Sequence, residues 1–273
     1  IKPTTLSEAP IVAVSAVTGE GLPDLISAID ELLNSTEPRR DIGRPRLPID
    51  RVFTISGSGT IVTGTLIDGS LSRGQEVEVI PPNLRSRLRG LQTHKARIDV
   101  AKPGSRVAAN LIGVATSQLK RGDVLTNPDW LVPTTMLDAK LRLLPYLQRP
   151  LRHNATVSFH TGTTETMAKV RMLEKEELKP GESAWAQLIL DKPVAVVKND
   201  SFIIRSPMDT LGGGSIINPH ARRHRRFRPA IIQSLEASGS GTAQEVIMAT
   251  LATRQPVEQV ALLAQCNLPA SEA

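Results

Sequence analysis

Aromatic residues are scarce in this 273-residue chain: two tryptophans, one tyrosine and four phenylalanines make up 3% of it. With a hydrophobic fraction of 40%, its cores must be built from Val, Ile, Leu and Ala. A single cysteine, Cys266, excludes an intramolecular disulfide framework and points to a reducing compartment. No apolar run approaches the length needed to cross a bilayer, and no basic-then-apolar signal opens the chain. A soluble, cytoplasmic protein without a membrane partner is expected. No Gly-x-x-x-x-Gly-Lys-Ser/Thr phosphate loop and no Asn-Lys-x-Asp base-reading motif occurs, so nucleotide turnover by this chain is not expected. What the chain does have is length for two or three domains and a net charge of +6 with a pI near 9.8. That balance favours an anionic partner and is equally compatible with an ordinary surface.

Its most informative stretch is Arg51-Val52-Phe53-Thr54-Ile55-Ser56-Gly57-Ser58-Gly59-Thr60-Ile61-Val62-Thr63-Gly64-Thr65. Apolar and polar residues alternate on both sides of Gly57 and Gly59, which predicts two strands meeting at a tight turn, with a further turn at Asp68-Gly69. A phosphate cradle would need a following helix, whereas Thr60 opens a β-branched run, so the segment predicts a β-meander. Period 2 continues to about Pro219, with strands expected at 77–80, 86–91, 105–111, 137–143, 155–159, 167–172, 184–190 and 201–205. Many short strands between Pro/Gly turns argue a barrel or sandwich.

An internal echo argues two such units. Lys102-Pro103-Gly104 returns as Lys179-Pro180-Gly181, 77 residues on (179 less 102), and Gly122-Asp123 returns as Asn199-Asp200 at the same offset. Pro then Gly suits the two central positions of a type II turn. Preserved spacing makes a pair of similar domains the expectation.

The wording Leu47-Pro48-Ile49-Asp50-Arg51-Val52-Phe53-Thr54-Ile55 and the glycines behind it resemble the second-domain barrel of translational GTPases, and most of all that of the selenocysteine-specific elongation factors (SelB). The resemblance implies a mainly β fold, with tandem antiparallel barrels corresponding to elongation-factor domains II and III at 44–129 and 130–219. Residues 1–40 would be the C-terminal remnant of a GTPase domain. There Ile11 to Val14 reads as a short strand and Leu22 to Leu33 as a helix, with Leu22, Leu25, Ile26, Ile29 and Leu33 at helical spacing. Between them, Ser15 and Ala16 would be the loop that contacts guanine; the plainer reading is a strand-to-helix turn. Residues Asn34 to Pro48 carry linker chemistry.

For the site, the resemblance implies an aminoacyl pocket made by Asp50, Arg51 and Arg106. A selenol is largely ionised at neutral pH, whereas a thiol, with an unperturbed pKa of about 8.5, mostly is not, so two guanidiniums discriminate by charge where size cannot. The plainer reading is a surface ion pair of little consequence. Phe159-His160-Thr161-Gly162-Thr163 resembles a domain III loop and makes His160 a tRNA-side candidate; as a lone histidine it reads more simply as bonding loop backbone, and no metal site is expected. Leu211-Gly212-Gly213-Gly214 leads into five arginines within 222–228, of which Arg222, Arg223, Arg225 and Arg226 are candidate phosphate contacts. From Pro229 the pattern turns helical, and 220–273 is expected to be a basic linker and an incomplete winged-helix region.

The resemblance thus implies part of a factor that binds selenocysteyl-tRNA and carries it to the ribosome. GTP and Mg²⁺ would serve the whole protein and not this stretch, and an mRNA hairpin would be met only by regions outside it. Two alternatives stand beside this one: a piece of a general elongation-factor-like GTPase, whose pocket would lack the paired arginines, and a non-enzymatic double barrel that docks on a protein.

Overall fold

A computed structural model describes residues 6–36, 41–57 and 59–240. The chain divides into two units, 1–40 and 41–273. In the first, α1 (Leu22–Ser35) begins behind Gly21 in the left-handed conformation, with Pro near its start and Asp24 in its first turn, both suited to a helix N-terminus. Residues 11–14 do not form the expected strand: no segment of this unit pairs with them among the described residues. A strand exists only through its ladder, and a lone apolar run has none.

The second unit holds the barrels. The first uses β1 (Arg46–Ile55), β2 (Gly59–Thr65), β3 (Leu71–Ser72), β4 (Glu76–Ile80), β5 (Leu84–Thr93), β6 (Ala96–Ile98), β7 (Val100–Ala101), β8 (Arg106–Leu111) and β9 (Val124–Thr126). Six of them run β4-β9-β1-β2-β8-β5 and close through a β4–β5 pairing. The expected meander is therefore corrected, since β2 is flanked by β1 and β8 and not by the strand that follows it. Gly69 sits against the backbone of Arg44 and Pro45, where a Cβ would collide, and the chain leaves the β2 edge there. Pro48 is likewise no linker residue. It lies buried inside β1, where Arg46 to Pro48 pair with β9 before the strand passes to β2. The core is wholly aliphatic, centred on Leu47, Ile49, Val62, Leu88 and Leu125.

The second barrel comprises β10 (Thr134–Leu143), β11 (Leu151–Arg152), β12 (Ala155–Thr161), β13 (Thr164–Met172), β14 (Glu177–Leu178), β15 (Ser183–Val194), β16 (Ser201–Arg205) and β17 (Thr210–Asn218). It closes in the order β10-β15-β13-β12-β16-β17 around a stacked Phe159–Phe202 pair. The glycine triplet, read from sequence as a lead into a basic linker, is part of β17. A Cβ on Gly212, Gly213 or Gly214 would land on the carbonyl oxygen of Arg142, Phe202 or Lys140, so only glycine lets this strand seal the ring. Behind it, α2 (Pro229–Ser240) lays Leu235, Ile231 and Ile232 on Leu173, Trp185 and Ile217. The part of the expected winged-helix region beyond residue 240, Cys266 included, lies outside the described residues.

The internal echo is geometrical as well as verbal. Ser105 N–H bonds Lys102 O and Glu182 N–H bonds Lys179 O, with Gly104 and Gly181 both at φ 81°. At the second pair, Asp123 and Asp200 each accept, through Oδ2, the N–H three residues back at 2.9 Å, and Gly122 and Asn199 both take positive φ. The barrels are joined at a buried clamp. Arg46 bonds Asp68 through Nε and Nη2 at 2.8 and 2.6 Å, and reaches Asp200 of the second barrel through Nη1 at 2.6 Å. Desolvation works against the Arg46 charge, but the two carboxylates outweigh it and raise its pKa. An apolar seam of Ile80, Val124, Leu131, Ala195 and Val197 lies in the same unit. No helix among the described residues is long and apolar enough to cross a membrane.

Candidate functional site

The β1–β2 ladder slips by one residue at Asp50: Ile49 faces Gly64, yet Arg51 already faces Thr63. Asp50 is the extra residue of this bulge, and bulges re-aim side chains. Its Oδ2 meets Arg106 Nη1 at 2.5 Å, and its Oδ1 accepts from Thr63 Oγ1 at 2.7 Å. Arg106 opens β8 opposite Thr65, so β2 spans the gap between the carboxylate on one neighbour and the guanidinium on the other. Arg51 follows Asp50 directly and is exposed.

Burial opposes ionisation of Asp50. The hydrogen bonds from Arg106 and Thr63, then the charges of Arg106 and Arg51, outweigh it and hold the carboxyl below its usual range. In return Asp50 raises the Arg106 pKa. The acid is fixed, at 17% exposure, while Arg106 keeps 54% of its side chain exposed. A guanidinium carries five N–H donors in a fixed fork, and one carboxylate does not exhaust them. The arrangement therefore presents an oriented cation at the surface with a second beside it, which suits a small anion. Thr63 was not marked by the sequence reading; its signal was a hydroxyl residue in register with Arg51, visible only once the strands are paired.

The other sequence candidates lie apart from this cluster. Ser15 and Ala16 are in the first unit, in a loop where Ser15 N–H bonds Glu20 O and Ser15 Oγ accepts from Thr18 N–H. His160 belongs to β12 and not to a loop; its Nε2 is 3.0 Å from Ser158 Oγ and 4.0 Å from Glu165 Oε1, so its partners are side chains and not the expected backbone. The arginine segment is no free linker. Gln187 Nε2 donates to Arg222 O, Arg171 Nη2 to His224 O, and His224 Nε2 lies 2.8 Å from the fully buried Asp138. Arg226 is committed to the barrel: Nε donates to Met172 O, Nη2 to Lys175 O, and the charge pairs with Glu176 at 3.1 Å. It is corrected from phosphate contact to anchor, whereas Arg222, Arg223 and Arg225 remain exposed.

Comparison with known proteins bears on both barrels. The family model for the selenocysteine-specific elongation factor β-barrel domain matches residues 138–223, and that for elongation factor Tu domain 2 matches 59–126. A selenocysteine-specific elongation factor of Desulfomicrobium baculatum is 42% identical over 248 residues, 90% of this chain and 39% of the relative. One of Methanocaldococcus jannaschii is 31% identical over 233 residues, 78% of this chain and 50% of the relative. The chain thus spans half or less of these relatives' length. The crystal structure of a bacterial selenocysteine-specific elongation factor, EF-Sec, shares the fold with a TM-score of 0.79 at 24% identity, over 95% of this chain and 42% of that one. The likeness in sequence runs through both barrels and into the arginine segment, and the chain belongs to the family of selenocysteine-specific elongation factors.

Proposed function

We propose that this chain supplies the aminoacyl-binding and tRNA-facing part of a factor that carries selenocysteyl-tRNA to the ribosome in a GTP-dependent way. The observation that carries the reading is the Asp50–Arg106 pair beside Arg51, held on a bulge at the barrel surface. Asp50 neutralises part of the repulsion between the arginines and orients Arg106, and the arginines together attract the selenolate of the aminoacyl group. A seryl hydroxyl offers no charge to either, so discrimination rests on ionisation. In this reading 1–40 belongs to the GTP-binding domain, 44–129 and 130–219 are the second and third domains, and 220–273 leads toward a C-terminal region. His160, Arg222, Arg223 and Arg225 would serve the tRNA side. The Ser15 loop suits the guanine edge, but the sequence holds no phosphate loop, so these residues do not fit GTP and Mg²⁺ as a whole and the nucleotide is assigned to the rest of the whole protein.

The test is to measure affinity of the whole GTP-bound factor for selenocysteyl- and seryl-tRNA with one tRNA body. Arg106→Ala should weaken the first by about ten- to a hundredfold, the worth of one charge-assisted hydrogen bond, and the second far less. Equal losses would move the selenolate site elsewhere.

A further inference from the structure

Where the arginine segment crosses the outer face of the second barrel it leaves a pocket of about 440 Å³, lined by His153, Asn154, Lys169, Arg171, Ile189 and Arg223. Lys169 and Arg171 are two residues apart on β13, so both side chains leave the same, outward face of the sheet. Ile189 of β15 lies opposite Lys169 and Gln187 opposite Arg171, while the segment contributes Arg223 as a wall. Three cations therefore line one pocket, and its lining contains no carboxylate.

A surface cation ordinarily meets a carboxylate or bulk water, and neither describes Arg171. It is 9% exposed, and its side-chain partners are the neutral Gln187 amide, at 2.7 Å, and the carbonyl of His224. None of Lys169, Arg171 and Arg223 takes part in an ion pair among the described residues. Desolvation first, then repulsion from Arg223 and Arg226, lowers the Arg171 pKa. His153 adds a buried Nδ1 that has no hydrogen-bond partner. A half-desolvated group of like charges stays folded at a cost, and the change that relieves it is an anion held among them.

We infer that this pocket is an oxyanion site that takes a phosphoryl group, separate from the Asp50–Arg106 cluster. The lining favours a phosphoryl group over a carboxylate: several donors arranged around one space match a centre with several acceptor oxygens, and arginine is the side chain best matched to it. Two sources present that chemistry, a phosphodiester of an RNA backbone and a free phosphate-bearing molecule.

The test follows backbone amides of Asn154, Lys169, Arg171 and Arg223 by NMR in the whole chain while inorganic phosphate is added, against sodium chloride at equal ionic strength. Saturable shifts confined to these residues are expected with phosphate and not with chloride. Lys169→Met and Arg223→Gln, both at exposed positions, should each weaken phosphate binding several-fold with unchanged circular dichroism. A short single-stranded RNA that competes with phosphate, and loses affinity in the same variants, identifies a backbone phosphodiester; phosphate binding that RNA leaves untouched identifies a free phosphate compound. Shifts that never saturate, or that chloride reproduces, overturn the proposal.

Discussion

The two barrels share their turns and differ in what their outer faces do. In the first, the polar outward residues Asp50 and Arg106 stay at the surface, with a fixed carboxylate and a half-exposed guanidinium. In the second, the equivalent kind of residue is roofed over: Asp138 and Gln187 are fully buried beneath the segment at 222–226, and α2 covers Trp185. A buried polar group must find partners, and here they come from the segment's carbonyls and from His224. The same alternation of strand residues thus builds an open charged cluster on one barrel and a docking platform on its neighbour. What decides between them is whether later chain returns to cover the face.

The closure of the barrels gives the largest test of that difference. Gly214 in β17 has the Lys140 carbonyl where a Cβ would stand, whereas Gly90 in β5 has nothing within 4 Å of that position. Gly214→Val should destabilise the chain by roughly 4 kcal/mol or more and Gly90→Ala by no more than about 0.5 kcal/mol, read from denaturant midpoints. Similar effects at the two sites would mean that the glycine triplet does not seal the second barrel.

The twin aspartates come next. Asp200 shares its turn geometry with Asp123 but meets Arg46, while Asp123 Oδ1 is buried without a partner. Asp200→Asn should cost about 1–3 kcal/mol by removing a charged partner of a buried guanidinium. Asp123→Asn keeps an acceptor for Lys120 N–H and drops a desolvated charge, so it should be nearly neutral at pH 7. The sign follows from pKa: burial raises the Asp123 carboxyl above its ordinary 3.8, against the Lys120 N–H and charge. Folding then favours the protonated form, a contribution complete below the unfolded value and lost as pH rises through the raised one. Chemical denaturation across pH should show the wild type losing ground to Asp123→Asn above about pH 4. A flat difference would mean that Asp123 ionises as freely folded as unfolded.

Much of this was legible in the chain itself. The paired Pro-Gly and Gly/Asn-Asp turns declared the duplication because turn chemistry is local, and alternation located most strands. The glycine strand was not legible, since glycine is a poor strand former and its reason lies in carbonyls of β10 and β16. Residues 11–14 failed in the opposite sense: strand-like composition without a partner. The arginines of 222–226 looked alike, and only their position over β13 and β15 separates the Arg226 anchor from the exposed Arg222 and Arg225. Asp50, Arg51 and Arg106 were singled out by resemblance, 56 positions apart at the extremes (106 less 50). The bulge that brings them together, and the supporting Thr63, required the register.

The most direct test of the proposed pocket is a double-mutant cycle on Arg51 and Arg106 in the whole GTP-bound factor, read as affinity for selenocysteyl-tRNA with seryl-tRNA as reference. If both guanidiniums serve one anion, Arg51→Ala and Arg106→Ala should each lower selenocysteyl-tRNA affinity selectively, and the double variant should lose clearly less than the two losses combined, by at least about 0.5 kcal/mol. Losses that add in full and fall equally on seryl-tRNA would contradict a selenolate pocket and return the Asp50–Arg106 pair to ordinary surface electrostatics.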